Sequence, residues 1–383
     1  MAKRSWTLLD WFDRDSHPPT TVETDNGDFN VYWDRLHGAR SEGVELLRVN
    51  TGPMEVTFVP SRGMGIWKIA CDGIEIGWNS PTRGPVHPQF VPIFDPSGIG
   101  WLEGFDELLV RCGLLSNGAP QFNARGQLEY PLHGRIANLP VEYVELTVDA
   151  ENDEIAVETV TCETRFLIYD LRLKSTVRLK AGSRKLAIED IVLNASARPA
   201  SMQLLYHINV GRPVLEGGGY VHLPTQRIVP RNAHAAKDIA TWNQYAEPTD
   251  GYSEQVYFTE PLADQQGWTT AMLSNASSSI GVSVRSQTAT LPYFIVWKNT
   301  TAERDGYVTG LEPATGFPNP RSFEETQNRV VPLAPNEQKT FQVELEILTT
   351  PEAVAECKST IDRLQHHNTP RLDSEPDPQW CSP

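Results

Sequence analysis

Three residues of this chain have the types needed to move protons between the oxygens of one substrate: His133, His207 and Glu312. Glu312 stands between Leu311 and Pro313, just ahead of the turn Pro318-Asn319-Pro320. Apolar bulk on both sides should desolvate its carboxylate and raise its pKa. A rigid strand end of this kind could hold the carboxylate still at the rim of a pocket. Otherwise Glu312 is a strand-end glutamate in solvent. His207 lies in Gln203-Leu204-Leu205-Tyr206-His207-Ile208-Asn209. Period-two reading puts it on the face of Leu205, with Tyr206 and Ile208 on the other. A histidine inside an apolar strand must be hydrogen-bonded, so it is either a satisfied core residue or a pocket-facing acid with a pKa near its usual value. His133 precedes Gly134 and Arg135 in a loop, where it is either functional or merely structural. A histidine facing a carboxylate is the least equipment for general acid–base catalysis.

Other side chains could bind rather than react. Arg62, on the turn Pro60-Ser61-Arg62-Gly63, could offer its fork of donors to sugar hydroxyls, or be an ordinary surface arginine. Trp297 could stack on a pyranose ring or be a core tryptophan. Lys298, Arg135 and Asn209 complete the set of substrate-binding candidates. Trp101, Phe105, Asp106, Glu107 and Arg111 follow a glycine-rich stretch that could wall a cleft. His/His/Glu is chemically a possible zinc set, but no spacing signature supports it, and no metal or cofactor is expected. The signatures G-x-S-x-G, H-E-x-x-H and G-x-x-x-x-G-K-[ST] are absent.

The elements that must position these residues read as strands. Segments 55–59, 154–160, 171–179, 185–193, 279–285, 293–297 and 340–348 alternate apolar with polar residues. Short turn signals separate them, which predicts an all-β fold: a large antiparallel sandwich of two sheets. Residues 45–350 are expected to form that domain. Residues 1–44 should pack on it through Trp6, Leu9, Trp11 and Phe12, and 351–383 should give a helix and a poorly ordered tail. A net charge of −16 over 383 residues speaks against nucleic acid. The absence of an apolar run of membrane length speaks against a span, and no secretory leader is read at the N-terminus. Five scattered cysteines without C-x-x-C spacing suggest a reducing cytoplasm. The oligomeric expectation is a monomer or homodimer.

In chain order, Arg62-Gly63-Met64, Leu132-His133-Gly134, Tyr206-His207-Ile208-Asn209 and Leu311-Glu312-Pro313 with Pro318-Asn319 resemble the galactose mutarotase-like superfamily. The resemblance is to its aldose 1-epimerase-related branch of the DUF4432 type, over residues 45–350. It implies a large β-sandwich with a sugar pocket on a concave sheet face. By resemblance His207 would be the general acid at the ring oxygen and Glu312 the base at the anomeric hydroxyl. His133 would help hold charge near the ring oxygen, Arg62 would touch substrate hydroxyls, and Trp297 would wall the pocket. His207 and Glu312 should then lie on opposite sides of a site one pyranose ring wide. The implied activity is epimerisation of a free or modified sugar. The alternatives are a lyase or isomerase of a keto-sugar, metal-assisted or not, and a sugar-binding protein without turnover. The mid-chain aspartate that contacts sugar hydroxyls in the epimerases has no counterpart here, which leaves the sugar unnamed.

Overall fold

A computed structural model describes residues 3–10, 21–23 and 29–383. The alternating segments become strands, six of them with wider bounds and 279–285 shifted by two residues: Met54–Val59, Glu154–Arg165, Tyr169–Lys180, Lys185–Asn194, Gly281–Gln287, Tyr293–Asn299 and Gln338–Leu348. They are divided between two large sheets. The smaller has nine strands and runs from Arg4–Asp10 through Tyr143–Asp149 and the long hairpins to Tyr220–His222. The larger has fourteen. Its middle, in spatial order, is Gly65–Cys71, Leu109–Leu114, Ala200–Val210, Val308–Ala314, Tyr293–Asn299, Gln255–Pro261 and Thr225–Pro230.

Period two decides what each face of the larger sheet carries. Leu109, Leu204, Tyr206, Ile208, Phe294, Val296 and Leu311 point at the smaller sheet. There they join Val157, Leu173, Val177, Ile188 and Val343 in one buried core. Their neighbours Val110, Cys112, Leu205, Ile295 and Ala314 point the other way, into a second apolar cluster with Trp78, Trp101, Phe105 and Phe317. A sheet with apolar residues on both faces must be covered twice. Here the smaller sheet covers one face and the loops around Trp78, Trp101 and Phe317 cover the other.

Arg111 belongs to the inner core rather than to a cleft wall. Its guanidinium pairs with Asp190 and donates to Ser175 Oγ at 2.8 Å, while Tyr206 donates its hydroxyl to Asp190 at 2.9 Å. A buried charge is tolerable only when paired and hydrogen-bonded in this way.

Both termini are built into the sheets. Arg4–Asp10 pairs with Tyr143–Asp149, and Asn30–Arg35 with Glu45–Asn50, so strands on both sides of residue 45 share one ladder. Trp6 and Leu9 pack on the core; Trp11 and Phe12 lie outside the described residues. The helix Pro351–Gln365 starts where Thr350 caps it by accepting from Ala353 N–H at 3.2 Å. It buries Val354 and Ile361 against Met272 and Leu348. The expectation of a poorly ordered tail fails. Arg371–Leu372 adds a parallel strand beside Thr225–Pro230, Arg227 pairs with Asp373 and Asp377, and Trp380 packs on Phe317. Those contacts fix the chain end to the sheet. Among the described residues no helix is long and apolar enough to cross a membrane.

Candidate active site

The outer face of the larger sheet holds a cavity of about 320 Å³, and His133, His207, Trp297 and Glu312 all line it. Adjacent strands place three of them. His207 sits opposite Val110, Ile208 opposite Leu311, and Ile295 opposite Glu312. Because His207 and Glu312 share the outer-face parity of neighbouring strands, their side chains project together. The strand continues through Pro313 to Ala314, so Glu312 lies within the sheet rather than at a strand end.

Gly310 makes room for the pair. A Cβ there would stand 2.3 Å from Glu312 Oε1 and 3.2 Å from His207 Cε1. Trp101 and Phe105 close the cavity from the covering loop. Their rings lie 6.4 Å and 5.2 Å from the His207 ring, and Trp297 lies 5.4 Å from it edge-on. His133 stands at 86° to His207, with 5.4 Å between ring centres.

The hydrogen bonds fix which nitrogens can react. Asn209 donates its amide to Glu107 O at 2.9 Å and His207 O at 3.2 Å, both acceptors, so its amide oxygen must face His207 Nδ1. Nδ1 therefore carries the proton and Nε2 is bare. His133 uses the same arrangement: Nδ1 donates to Asn117 O at 2.8 Å, leaving Nε2 without that proton. His207 Nε2 lies 3.3 Å from Glu312 Oε1. The approach lacks hydrogen-bond alignment, and Glu312 Oε1 has no hydrogen-bond partner among the described residues.

Burial sets the protonation. His207 is 5% exposed and Glu312 2% exposed. Desolvation first, and His133 second, drive His207 down to about 3, although the bond to Asn209 pulls the other way. The sequence expectation of a near-ordinary value is thus overturned by dryness. His133 falls to about 4, again chiefly by desolvation. Desolvation, then Glu254, push the Glu312 carboxyl well above its usual range, with Arg231 opposing. All three groups favour their neutral forms. Burial thus favours a protonated Glu312 facing the bare Nε2 of His207. Such a pair titrates as a unit.

His207 and Glu312 stand side by side, not across a ring from each other as expected. The candidate substrate contacts divide. Trp297 walls the cavity and donates its Nε1–H to Glu254 at 2.6 Å. Asn209 is fully buried and orients His207. Arg62 is corrected: it is 1% exposed and its donors are used by Glu107, Val86 O, Asn138 and Gly104 O. Four of its five donors are so used, and the side chain is fully buried away from the cavity. Lys298 points to the opposite face from Trp297 and donates to Thr241 O and Gln244 O. Arg135 leaves the cavity altogether and donates to Tyr169 Oη at 3.0 Å.

Two lining residues escaped sequence reasoning: Arg231 and Glu254, 3.9 Å apart at the cavity edge. They flank the ends of Thr225–Pro230 and Gln255–Pro261, and only the spatial neighbourhood of those strands to Trp297 could have found them. His133, His207 and Glu312 do not assemble into a metal-binding group, nor does any other set among the described residues.

Comparison with known proteins agrees with this architecture. The crystal structure of a proposed aldose 1-epimerase from Klebsiella pneumoniae superposes with a TM-score of 0.93 at 31% identity, over 98% of this chain and 99% of that one. A galactose mutarotase-like protein from Clostridium acetobutylicum matches with a TM-score of 0.58 at 16% identity, over 84% and 99%. A proposed aldose 1-epimerase from Escherichia coli K12 gives 0.51 at 14%, over 80% and 99%. These two share the fold alone. No curated protein matches. The family model described as a domain of unknown function, DUF4432, matches residues 41–347, which is most of the chain. By that match the chain belongs to the DUF4432 family, built on the galactose mutarotase-like fold.

Proposed function

We propose that this protein is an aldose 1-epimerase-like enzyme that opens and recloses the ring of a free or modified sugar. The observation that carries the reading is the pairing of His207 Nε2 and Glu312 Oε1 at 3.3 Å in an aromatic-walled cavity. The cavity falls in the range of small-molecule sites, roughly 300–1,000 Å³. Trp297, Trp101 and Phe105 offer the apolar surface on which a pyranose face rests. The name of the Klebsiella relative points the same way.

The proximity suits the chemistry. The ring oxygen and the anomeric hydroxyl are bonded to one carbon, so the groups serving them must be neighbours. Sugar hydroxyls entering the cavity supply hydrogen bonds that favour the Glu312 carboxylate. The shared proton then passes to His207 Nε2. Glu312 removes the proton from O1, the C1–O5 bond breaks, and Nε2–H protonates O5. The products are the open-chain aldehyde and the same neutral pair from which the reaction starts. Rotation about C1–C2 and the reverse steps give the other anomer. No proton need come from solvent. His133, with its own bare Nε2, is placed to bond a sugar hydroxyl near O5.

The test is anomer exchange followed by NMR across a panel of aldoses and oxidised sugars. Loss of one proton-transfer group should slow the reaction by roughly 10²–10⁴-fold, so Glu312→Gln should be close to inactive. Exchange on no sugar sinks the reading, as does a Gln variant equal to wild type. Turnover of keto-sugars alone would move the reaction to proton abstraction beside a carbonyl. Binding that survives Glu312→Gln without any rate enhancement would make the protein a sugar binder.

A further inference from the structure

A second cavity, of about 350 Å³, opens on the other side of the His133 loop. Arginines define it: Arg135, Arg165 and Arg321 all line it, together with Ser116, Glu163 and Tyr169. In a chain of net charge −16 this is an unusual concentration of cations. Their local neutralisation is incomplete. Among the described residues neither Arg135 nor Arg165 forms an ion pair. Arg135 bonds the Tyr169 hydroxyl, and the carboxyl near both of them is that of Glu163; Glu129, the other carboxylate of the lining, accepts from Gln121. That carboxyl is buried, accepts from Leu114 N–H at 2.7 Å, and is lifted by desolvation to about 7, so it is an incomplete counter-charge. Arg321 is 4% exposed. It donates to Glu325 at 2.9 Å and to Ser201, yet among the described residues its Nη1 has no partner. Ser116, fully buried in the same wall, likewise has an Oγ with no partner among the described residues. Buried donors without acceptors are costly, and they are ordinarily matched by something.

We propose that this cavity binds a small phosphate- or carboxylate-bearing molecule, gripped by Arg135, Arg165 and Arg321 with the Ser116 hydroxyl. Guanidinium forks match these anions in charge and shape. The volume suits one small metabolite rather than a polymer. The site is separate from the His207–Glu312 cavity and does not depend on the reaction proposed there, but one loop serves both. Residue 133 enters the first cavity and residue 135 the second. Between them Gly134, at φ +73, is held so tightly that a Cβ would meet Ser116 O at 2.2 Å and Gly113 O at 2.3 Å. A loop this confined transmits a pull on Arg135 to the His133 ring.

Isothermal titration of the full chain with inorganic phosphate and, separately, with citrate tests the site and tells the two anion classes apart. The His133 imidazole resonance is followed in parallel. Saturable binding of at least one probe is expected, weakened about tenfold or more by Arg165→Glu and by Arg135→Ala. Arg165 is exposed, so its reversal spares the fold. Arg231→Ala, in the other cavity, should leave anion binding as it is. Failure of both probes to bind below about 10 mM, or unchanged affinity in both arginine variants, overturns the site. Binding that leaves the His133 resonance unmoved overturns the link between the cavities.

Discussion

Replacing Glu312 by Gln should make the protein more stable at neutral pH while removing its proposed base. In the unfolded chain this carboxyl titrates at its ordinary value of 4.5, whereas in the folded chain desolvation holds it well above that. Between those two values the folded state keeps a proton that the unfolded state releases. The sign follows from linkage: stability falls as pH rises above 4.5, at up to about 1.4 kcal/mol per pH unit. The penalty accumulates with pH until the folded state also releases its proton. Glutamine is neutral in both states and nearly the same shape, so it carries no such cost. Its amide can also donate toward His207 Nε2, the atom that the protonated carboxyl faces at 3.3 Å in wild type. Urea unfolding of both proteins at pH 4.5, 5.5 and 7 measures the effect. The two curves should nearly coincide at pH 4.5, and the Gln variant should pull ahead as pH rises. A Gln variant less stable than wild type at pH 7, or a difference that does not change with pH, would refute the claim that Glu312 is held neutral by burial.

The pair also predicts an unusual pH–rate profile. With His207 near 3 and His133 near 4, kcat/KM should show no inflection at the ordinary histidine value of 6.5. On the acid side activity should fall only when pH drops toward those values, where His207 and Glu312 are both protonated and no base remains; on the alkaline side it should fall where Glu312 releases the shared proton, and a fall with rising pH near 6.5 speaks against the dry cavity. Gly310→Ala places a Cβ 2.3 Å from Glu312 Oε1 and must displace the carboxylate. Epimerisation should drop by an order of magnitude or more while circular dichroism stays native, since positioning alone contributes strongly to rate. Glu107→Gln leaves the buried Arg62 guanidinium without its counter-charge, a change that typically costs about 3–5 kcal/mol. Sugar affinity of the protein that remains folded should be unchanged, because Arg62 does not reach the cavity; a KM effect larger than the stability loss would restore Arg62 as a substrate contact.

Much of the fold was legible because strand parity is a local property. The alternation in Gln203–Asn209 put His207 with Leu205 and against Tyr206 and Ile208, and those residues do divide between the outer and inner faces of the larger sheet. The same logic holds for Glu312 beside Leu311. Parity also contained the correction of Lys298. As the neighbour of Trp297 in one strand it had to point the other way, and its ammonium is satisfied there by the carbonyls of Thr241 and Gln244. Arg62 was not open to such reasoning. Its turn was read correctly as a Pro-Ser-Arg-Gly reversal, but whether a turn arginine faces solvent or interior depends on what lies across from it. Here Glu107, Gly104 and Asn138 do, contributed by segments far along the chain. Arg231 and Glu254 were illegible for the same reason. Their place beside Trp297 comes from sheet order, not from any spacing in sequence.

The direction of the pKa shifts had a similar limit. Leu311 and Pro313 foretold a raised Glu312, and it is raised, but flanking residues in one strand could not foretell how dry the whole cavity is. Dryness comes from Trp101 and Phe105, which reach the site from a loop about a hundred residues away from His207 along the chain. That loop converts an ordinary histidine and glutamate into a pair with one proton between them. A wetter cavity would ionise the glutamate and, above the ordinary histidine value, leave the pair without its shared proton, so no acid would remain for O5. Opening the wall is therefore the sharpest way to separate the acid–base pair from its environment. Phe105→Ala should admit water, lower Glu312 and raise His207 toward their ordinary values, and bring an alkaline limb into kcat/KM near 6.5, where the pair would lose its shared proton, with both residues still in place. If the profile of that variant stays flat, the aromatic wall is not what holds the pair neutral.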